Sequence, residues 1–164
     1  MSDHPEIDPA EYRRVLGHFP TGVTVVTAHD GDGPVGMAIG SFASVSLDPP
    51  LVAFFAGKQS GTWARIDKAG HFCVNVLGDD QLELCSTMAS RAEDRFEGVS
   101  WMAAPSGSPV LPDVIATIDC KTDAIHDGGD HWIVVGRVLH LATHREAGPM
   151  VFFKGGYGSF APND

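Results

Sequence analysis

The first clear pattern along the chain is a helix start. In "DPAEYRRVLGHF" Asp8 stands as N-cap, Pro9 at the first helical position and Glu11 three residues after the cap. The helix is expected to end near Gly17. β-Branched residues then dominate "GVTVVTAH", which reads as a strand. "DGDGP" turns the chain, "VGMAIGSFASVSL" returns as one or two strands, and "DPP" breaks the run. "LVAFFAG" is continuously apolar, the pattern of a strand buried on both faces.

"SGTWARIDKAG" predicts a short helix closed by Gly70, and "HFCVNVL" another strand. From Asp79 to Phe96, Leu82, Cys85, Met88 and Ala89 recur at helical spacing, with Asp79 or Asp80 as cap. "VIATIDCKTDAIH" and "DHWIVVGRVLHLATH" are two long strands around the hairpin turn "DGGD". "PMVFFKGGYGSF" gives a last short strand and a Gly-rich tail. Strands follow one another through short turns, and the helices do not alternate with them. The expected fold is mainly β: an antiparallel barrel with helices packed outside it.

Length and charge narrow the setting. The 164 residues suit one domain, with no linker or repeat to divide it. A net charge of −10 disfavours nucleic acid and anionic membrane as partners, so any phosphate-bearing ligand needs a local pocket of donors. The polar N-terminus lacks a signal peptide's apolar stretch, and no apolar run is long enough to span a membrane. Cys73, Cys85 and Cys120 are widely spaced among apolar residues and read as buried, reduced thiols of a cytoplasmic protein.

Two motifs mislead. "GDGPVG" matches the dinucleotide fingerprint, but it leads into a strand pattern rather than a helix, so it reads as a hairpin turn. "HLATH" spaces His140 and His144 like zinc-protease ligands, yet on a strand the two rings lie roughly 13 Å apart. No metal site is expected. No nucleophile elbow is present, which leaves hydrolase chemistry without residues.

"SFASVS" is the stretch that departs from core chemistry. On a strand Phe42, Ser44 and Ser46 share one face, and Ser41 joins them only through a bulge or turn beside Gly40. Hydroxyls, small side chains and accessible backbone N–H groups suit a flat polar ligand lying along the strand. The plainer alternative is a solvent-facing Ser/Ala strand.

Seven segments, "TGVTVVTA", "GMAIGSFASVSLDPPLV", "FCVNVL", "DRFEGV", "SPVLPDVIATIDC", "GGDHWIVVGRV" and "FFKGGYG", occur in an order that resembles the flavin reductase-like family. The resemblance runs from about Thr21 to Phe160. It implies the FMN-binding split barrel, a homodimer with flavin near the subunit interface, and reduction of FMN or FAD by NADH or NADPH for a partner monooxygenase. It places flavin against Ala38, Ser41, Phe42, Ala43, Ser44, Val45 and Ser46, with Lys58, Ser60, Thr62 and Asn75 completing the pocket. It also puts His131 on the nicotinamide side; without the resemblance, His131 reads as a hairpin-end histidine bonded to Asp130 or backbone. Arg91 and Arg95 read either as phosphate ligands or as a solvated helix end. Where this chain has Ala38 and Gly40, the family often carries Thr and a polar residue, which removes a side-chain hydrogen bond here. Two other functions use the same scaffold: a tightly held prosthetic flavin with its own substrate, or non-catalytic flavin storage.

Overall fold

The computed structural model describes residues 4–164. Its first helix, α1, covers Pro9–Leu16, and the Asp8 carboxylate accepts from the Ala10 N–H at 3.1 Å. Glu11 does not reach back to the cap; it holds Arg14 at 2.7 Å instead. The chain continues through β1 (Thr21–Gly22), β2 (Thr24–His29), β3 (Pro34–Ile39), β4 (Ala43–Ser46) and β5 (Leu51–Gly57). Next come α2 (Gly61–Ala69), β6 (His71–Val76), α3 (Leu82–Ala89), β7 (Met102–Ala103) and β8 (Pro109–Val110). The long strands β9 (Ala116–Gly128) and β10 (His131–Thr143) precede β11 (Met150–Phe153) and β12 (Gly156–Ser159).

Seven strands form one antiparallel sheet in the order β3-β2-β6-β9-β10-β5-β4. Its first and last members are consecutive in the chain, joined only by Gly40, Ser41 and Phe42. A flat sheet would hold them about 29 Å apart, six spacings of roughly 4.8 Å. A three-residue link reaches at most about 14 Å. The sheet therefore curls until its two edges approach. β1, β11 and β12 form a separate small sheet, and β7 pairs β8.

Side chains sort to the two faces of the curl. Val26, Ala28, Phe54, Phe72, Val74 and Val134 form the inner core, which Trp63 and Ile66 of α2 complete. Val23, Val25, Leu77, Cys85, Met88 and Leu111 form a second core on the other face, beneath α3 and the 96–114 segment. β2 alternates between them, so both of its faces are buried. A Cβ at Gly136 would overlap the buried Phe72 ring, which explains a glycine in mid-strand beside the β10 bulge.

Several expectations change. The Asp79–Phe96 helix shrinks to Leu82–Ala89, and its cap is Gln81 rather than Asp79 or Asp80. Asp80 is tied to Arg145, and the Ser90 hydroxyl donates to Thr87 O at 2.8 Å and accepts from Ala92 N–H, which ends the helix locally. The Gly-rich tail is no loop: Gly156–Ser159 pairs with β11 as a hairpin. β5 is not buried throughout, because Phe55 is exposed. Gly70 closes α2 in the left-handed conformation, as expected. Gly129 and Asp130 form the tight turn between β9 and β10.

Candidate functional site

The crossover between β3 and β4 follows from its composition. Gly40 ends β3, and the next two residues run free of the ladder before Ala43 begins β4. A Cβ at Gly40 would sit 3.1 Å from Thr21 Oγ1. Among the described residues that hydroxyl is buried without a hydrogen-bond partner. Ser41 Oγ accepts from the Phe55 N–H at 2.9 Å, which extends the β4–β5 pairing through a side chain. Phe42 packs against the inner core, and Ala38 against the outer one.

β3 and the crossover pass three cavities in turn. At Gly36 lies one of about 480 Å³, lined also by Thr62, Arg65 and Arg95. Arg95 Nη1 donates to Gly36 O at 2.8 Å and to Thr62 Oγ1 at 3.3 Å, so Arg95 is anchored against the sheet rather than solvated. Arg91 is exposed. From Ala38 to Gly40 lies a notch of about 220 Å³, walled by Ala89, Phe152 and Tyr157. At Ser41 opens a cavity of about 770 Å³, lined by Phe55, Ile133 and His131 from the sheet and by Tyr12 and Arg13 from α1.

His131 stands at the start of β10, opposite Gly57. Its Nδ1 bonds Asp130 Oδ1 at 2.7 Å, the plainer of its two expected roles, and Nε2 remains as its unbonded polar atom. The His131 hydrogen bond holds the Asp130 carboxyl below the usual carboxylate range. Ser41 and His131, ninety residues apart in the chain, thus line one cavity.

The other sequence candidates divide. Ser44 is exposed and Ser46 half-buried on the edge strand β4, and a bulge at Val45 interrupts the expected Phe42-Ser44-Ser46 face. Ala43 and Val45 are exposed beside them. Lys58 binds Asp127 at 2.5 Å and lies 4.4 Å over the Trp132 ring, so its charge fixes the β9–β10 hairpin tip. Ser60 Oγ accepts from Trp63 N–H at 3.1 Å as the cap of α2. Asn75, expected to complete the flavin pocket, has its side chain in the core. It is fully buried, its Oδ1 accepts from Leu111 N–H at 2.9 Å, and its Nδ2 faces Val25 O, Thr27 Oγ1 and Pro109 O. The α1 residues over the His131 cavity were missed, because a charged helix with no buried residue gives no sign in the sequence of the cavity beneath it.

The thiols offer no nucleophile. All three cysteines are free and buried. Burial and the neighbouring Asp119 push Cys120 up to about 12, and burial raises Cys73 and Cys85 as well. His144 Nε2 bonds Thr117 Oγ1 at 2.9 Å, away from His140 on β10. Among the described residues no helix is long and apolar enough to cross a membrane.

A curled antiparallel sheet with ligand-sized cavities along one seam defines a small-molecule-binding protein of the β class. The chain belongs to the flavin reductase-like family: the model described as "Flavin reductase like domain" matches residues 16–161. A flavin reductase of Pseudomonas putida is 50% identical over 156 residues, covering 94% of this chain and 92% of its own. The reductase subunit HsaB of a flavin-dependent monooxygenase from Rhodococcus jostii is 48% identical over 157 residues, covering 96% and 80%. The structure of the NADH:FAD oxidoreductase SgcE6 of Streptomyces globisporus, in complex with NAD and FAD fragments, superposes with a TM-score of 0.89 at 36% identity, covering 98% and 99%.

Proposed function

We propose that this chain is an NAD(P)H-dependent flavin reductase that supplies reduced FMN or FAD to a partner monooxygenase. The single observation that carries this is the meeting of Ser41 and His131 in one 770 Å³ cavity at the sheet's seam. That volume suits a small-molecule ligand with aromatic walls and few polar contacts. The residues fit a flavin: beside the Ser41 crossover, the exposed Ser44 and half-buried Ser46 hydroxyls, unbonded among the described residues, are polar groups awaiting partners. Thr62 and Arg95 stand as donors for its phosphate.

With both ligands bound, the chemistry supplied is hydride transfer from nicotinamide C4 to flavin N5. The chain's share is positional. Ser41 braces the crossover against β5, and His131, whose Nδ1–H is held by Asp130, presents Nε2 as an acceptor or packing surface for the nicotinamide carboxamide. No side chain has to move a proton in that step, which agrees with thiols whose acidity is suppressed by burial.

The same reading makes the curled sheet a split barrel and the whole chain one cytoplasmic domain that works as a homodimer. Supporting the dimer, β4 is an edge strand on which Val45 is 54% exposed, Leu47 just beyond it is 92% exposed, and α1 leaves Val15 and Leu16 uncovered. A second subunit on that face would bring Ser44 and Ser46 into an enclosed site. The test is steady-state NADH oxidation with and without free FMN or FAD, alongside sedimentation. Strict dependence on added flavin by a dimer is expected. Flavin-independent turnover would mean a prosthetic flavin, and no turnover would mean storage.

A further inference from the structure

α1 has an unusual relation to the rest of the molecule. None of its residues is buried, so it belongs to neither core. Pro9, Tyr12 and Arg13, at the i, i+3, i+4 spacing of one helical stripe, all line the His131 cavity. Neighbouring arginines on this helix behave differently. Arg14, about 100° further round the axis, is engaged by Glu11 through two bonds of 2.7 Å. Arg13 makes no ion pair or side-chain hydrogen bond among the described residues. The cavity's acidic lining residue, Asp130, is already bonded to His131. In a chain of net charge −10, an unpaired guanidinium facing a cavity is the local anion donor that a phosphate-bearing ligand requires.

We propose that Arg13 binds a phosphoryl group of the nicotinamide nucleotide and so recruits the hydride donor to the His131 cavity. This rests on the flavin-reductase reading above, which supplies the nucleotide. A guanidinium pairs phosphate oxygens with two parallel N–H bonds, and Tyr12 and Phe55 offer exposed ring faces in the same cavity for the nucleotide's bases. Held to the body by the Lys154 N–H to Gly17 O bond at 2.9 Å, α1 serves as a binding arm over the cavity rather than as core filling.

The test compares R13Q, R13K and the control R14Q. Donors are NADH, NADPH and N-benzyl-dihydronicotinamide, which carries no phosphate. R13Q should raise the KM for the phosphorylated donors roughly 10- to 100-fold, with R13K recovering part of the loss. Turnover of the phosphate-free donor, flavin affinity and the behaviour of R14Q should not change. A loss confined to NADPH would place the contact on the 2′-phosphate; a loss shared by NADH places it on the pyrophosphate. Equal losses with all three donors would overturn the proposal, since Arg13 would then act on the cavity's shape or on subunit assembly. An unchanged KM would overturn it too. Calorimetry with ADP-ribose separates this proposal from the function it rests on. If the wild type reduces no flavin, yet ADP-ribose binds and weakens at least 10-fold in R13Q, the reductase reading fails and the nucleotide site stands.

Discussion

Replacing Asn75 by alanine tests whether this residue belongs to the core or to the ligand. Its Oδ1 is the acceptor for Leu111 N–H, and its amide faces four acceptors between 3.1 and 3.4 Å. An amide carries two N–H bonds, so no more than two of those contacts are made fully at once. Truncation strands the Leu111 N–H in the core, at about 1–3 kcal/mol. Losing two donated bonds adds about 0.5–1.5 kcal/mol each, and the emptied space adds more. The hydrogen-bond losses alone sum to about 2–6 kcal/mol, or roughly 4–24 °C in Tm for a domain of this size. Urea denaturation and thermal melts measure it, and flavin titration on the folded variant should give an affinity within about twofold of wild type. N75D, which keeps the shape and the Oδ1 acceptor, should also destabilise, because it buries a carboxyl where Nδ2 donated. A variant as stable as wild type that had lost flavin affinity would refute the core assignment and return Asn75 to the pocket.

Other substitutions probe the seam. S44A/S46A should weaken flavin binding by about 1–3 kcal/mol, roughly 5- to 150-fold, with the melting temperature retained; unchanged affinity would leave these as ordinary edge-strand hydroxyls. H131A should raise the nicotinamide KM or lower kcat by about 10-fold or more at constant flavin Kd, whereas normal stopped-flow reduction at every NADH concentration would reduce it to a turn residue. Acidification should destabilise the fold. Hydrogen bonds from Arg65, Arg145 and Lys58 lower the carboxyls of Asp30, Asp80 and Asp127, so the unfolded chain binds protons first. Stability is then complete above about pH 5 and drains away toward about pH 2. D30N should flatten that dependence, and a Tm that held steady on acidification would contradict it.

Local chemistry made much of this fold legible. Asp8 before Pro9, Gly70 after a short amphipathic run and the "DGGD" turn each specify backbone geometry within a few residues, and each appears as expected. What the sequence hid depends on distant partners. The resemblance alone put Asn75, between two valines, in a ligand pocket, and the 109–111 segment that closes over it lies some 35 positions later. Lys58 looks like a free polar group, yet its bond goes to a hairpin tip 69 positions on, whereas Ser60 is a local cap, bonded to the Trp63 N–H three residues later. Arg13 is invisible for the opposite reason, because a charged helix position looks solvated unless a cavity lies beneath it.

The link through Gly40, Ser41 and Phe42 has one more consequence. β3 and β4 share no hydrogen bonds, yet so short a tether holds them at an effective concentration of roughly millimolar or more. Either edge can loosen without losing the other, so the seam can breathe while the remaining strands keep their register. A ligand spanning both edges acts as a second tether: it gains affinity from strands already brought together, and by reciprocity it opposes their parting. At the proposed site, a flavin that enters and leaves on each cycle would be held where the sheet has no ladder to break.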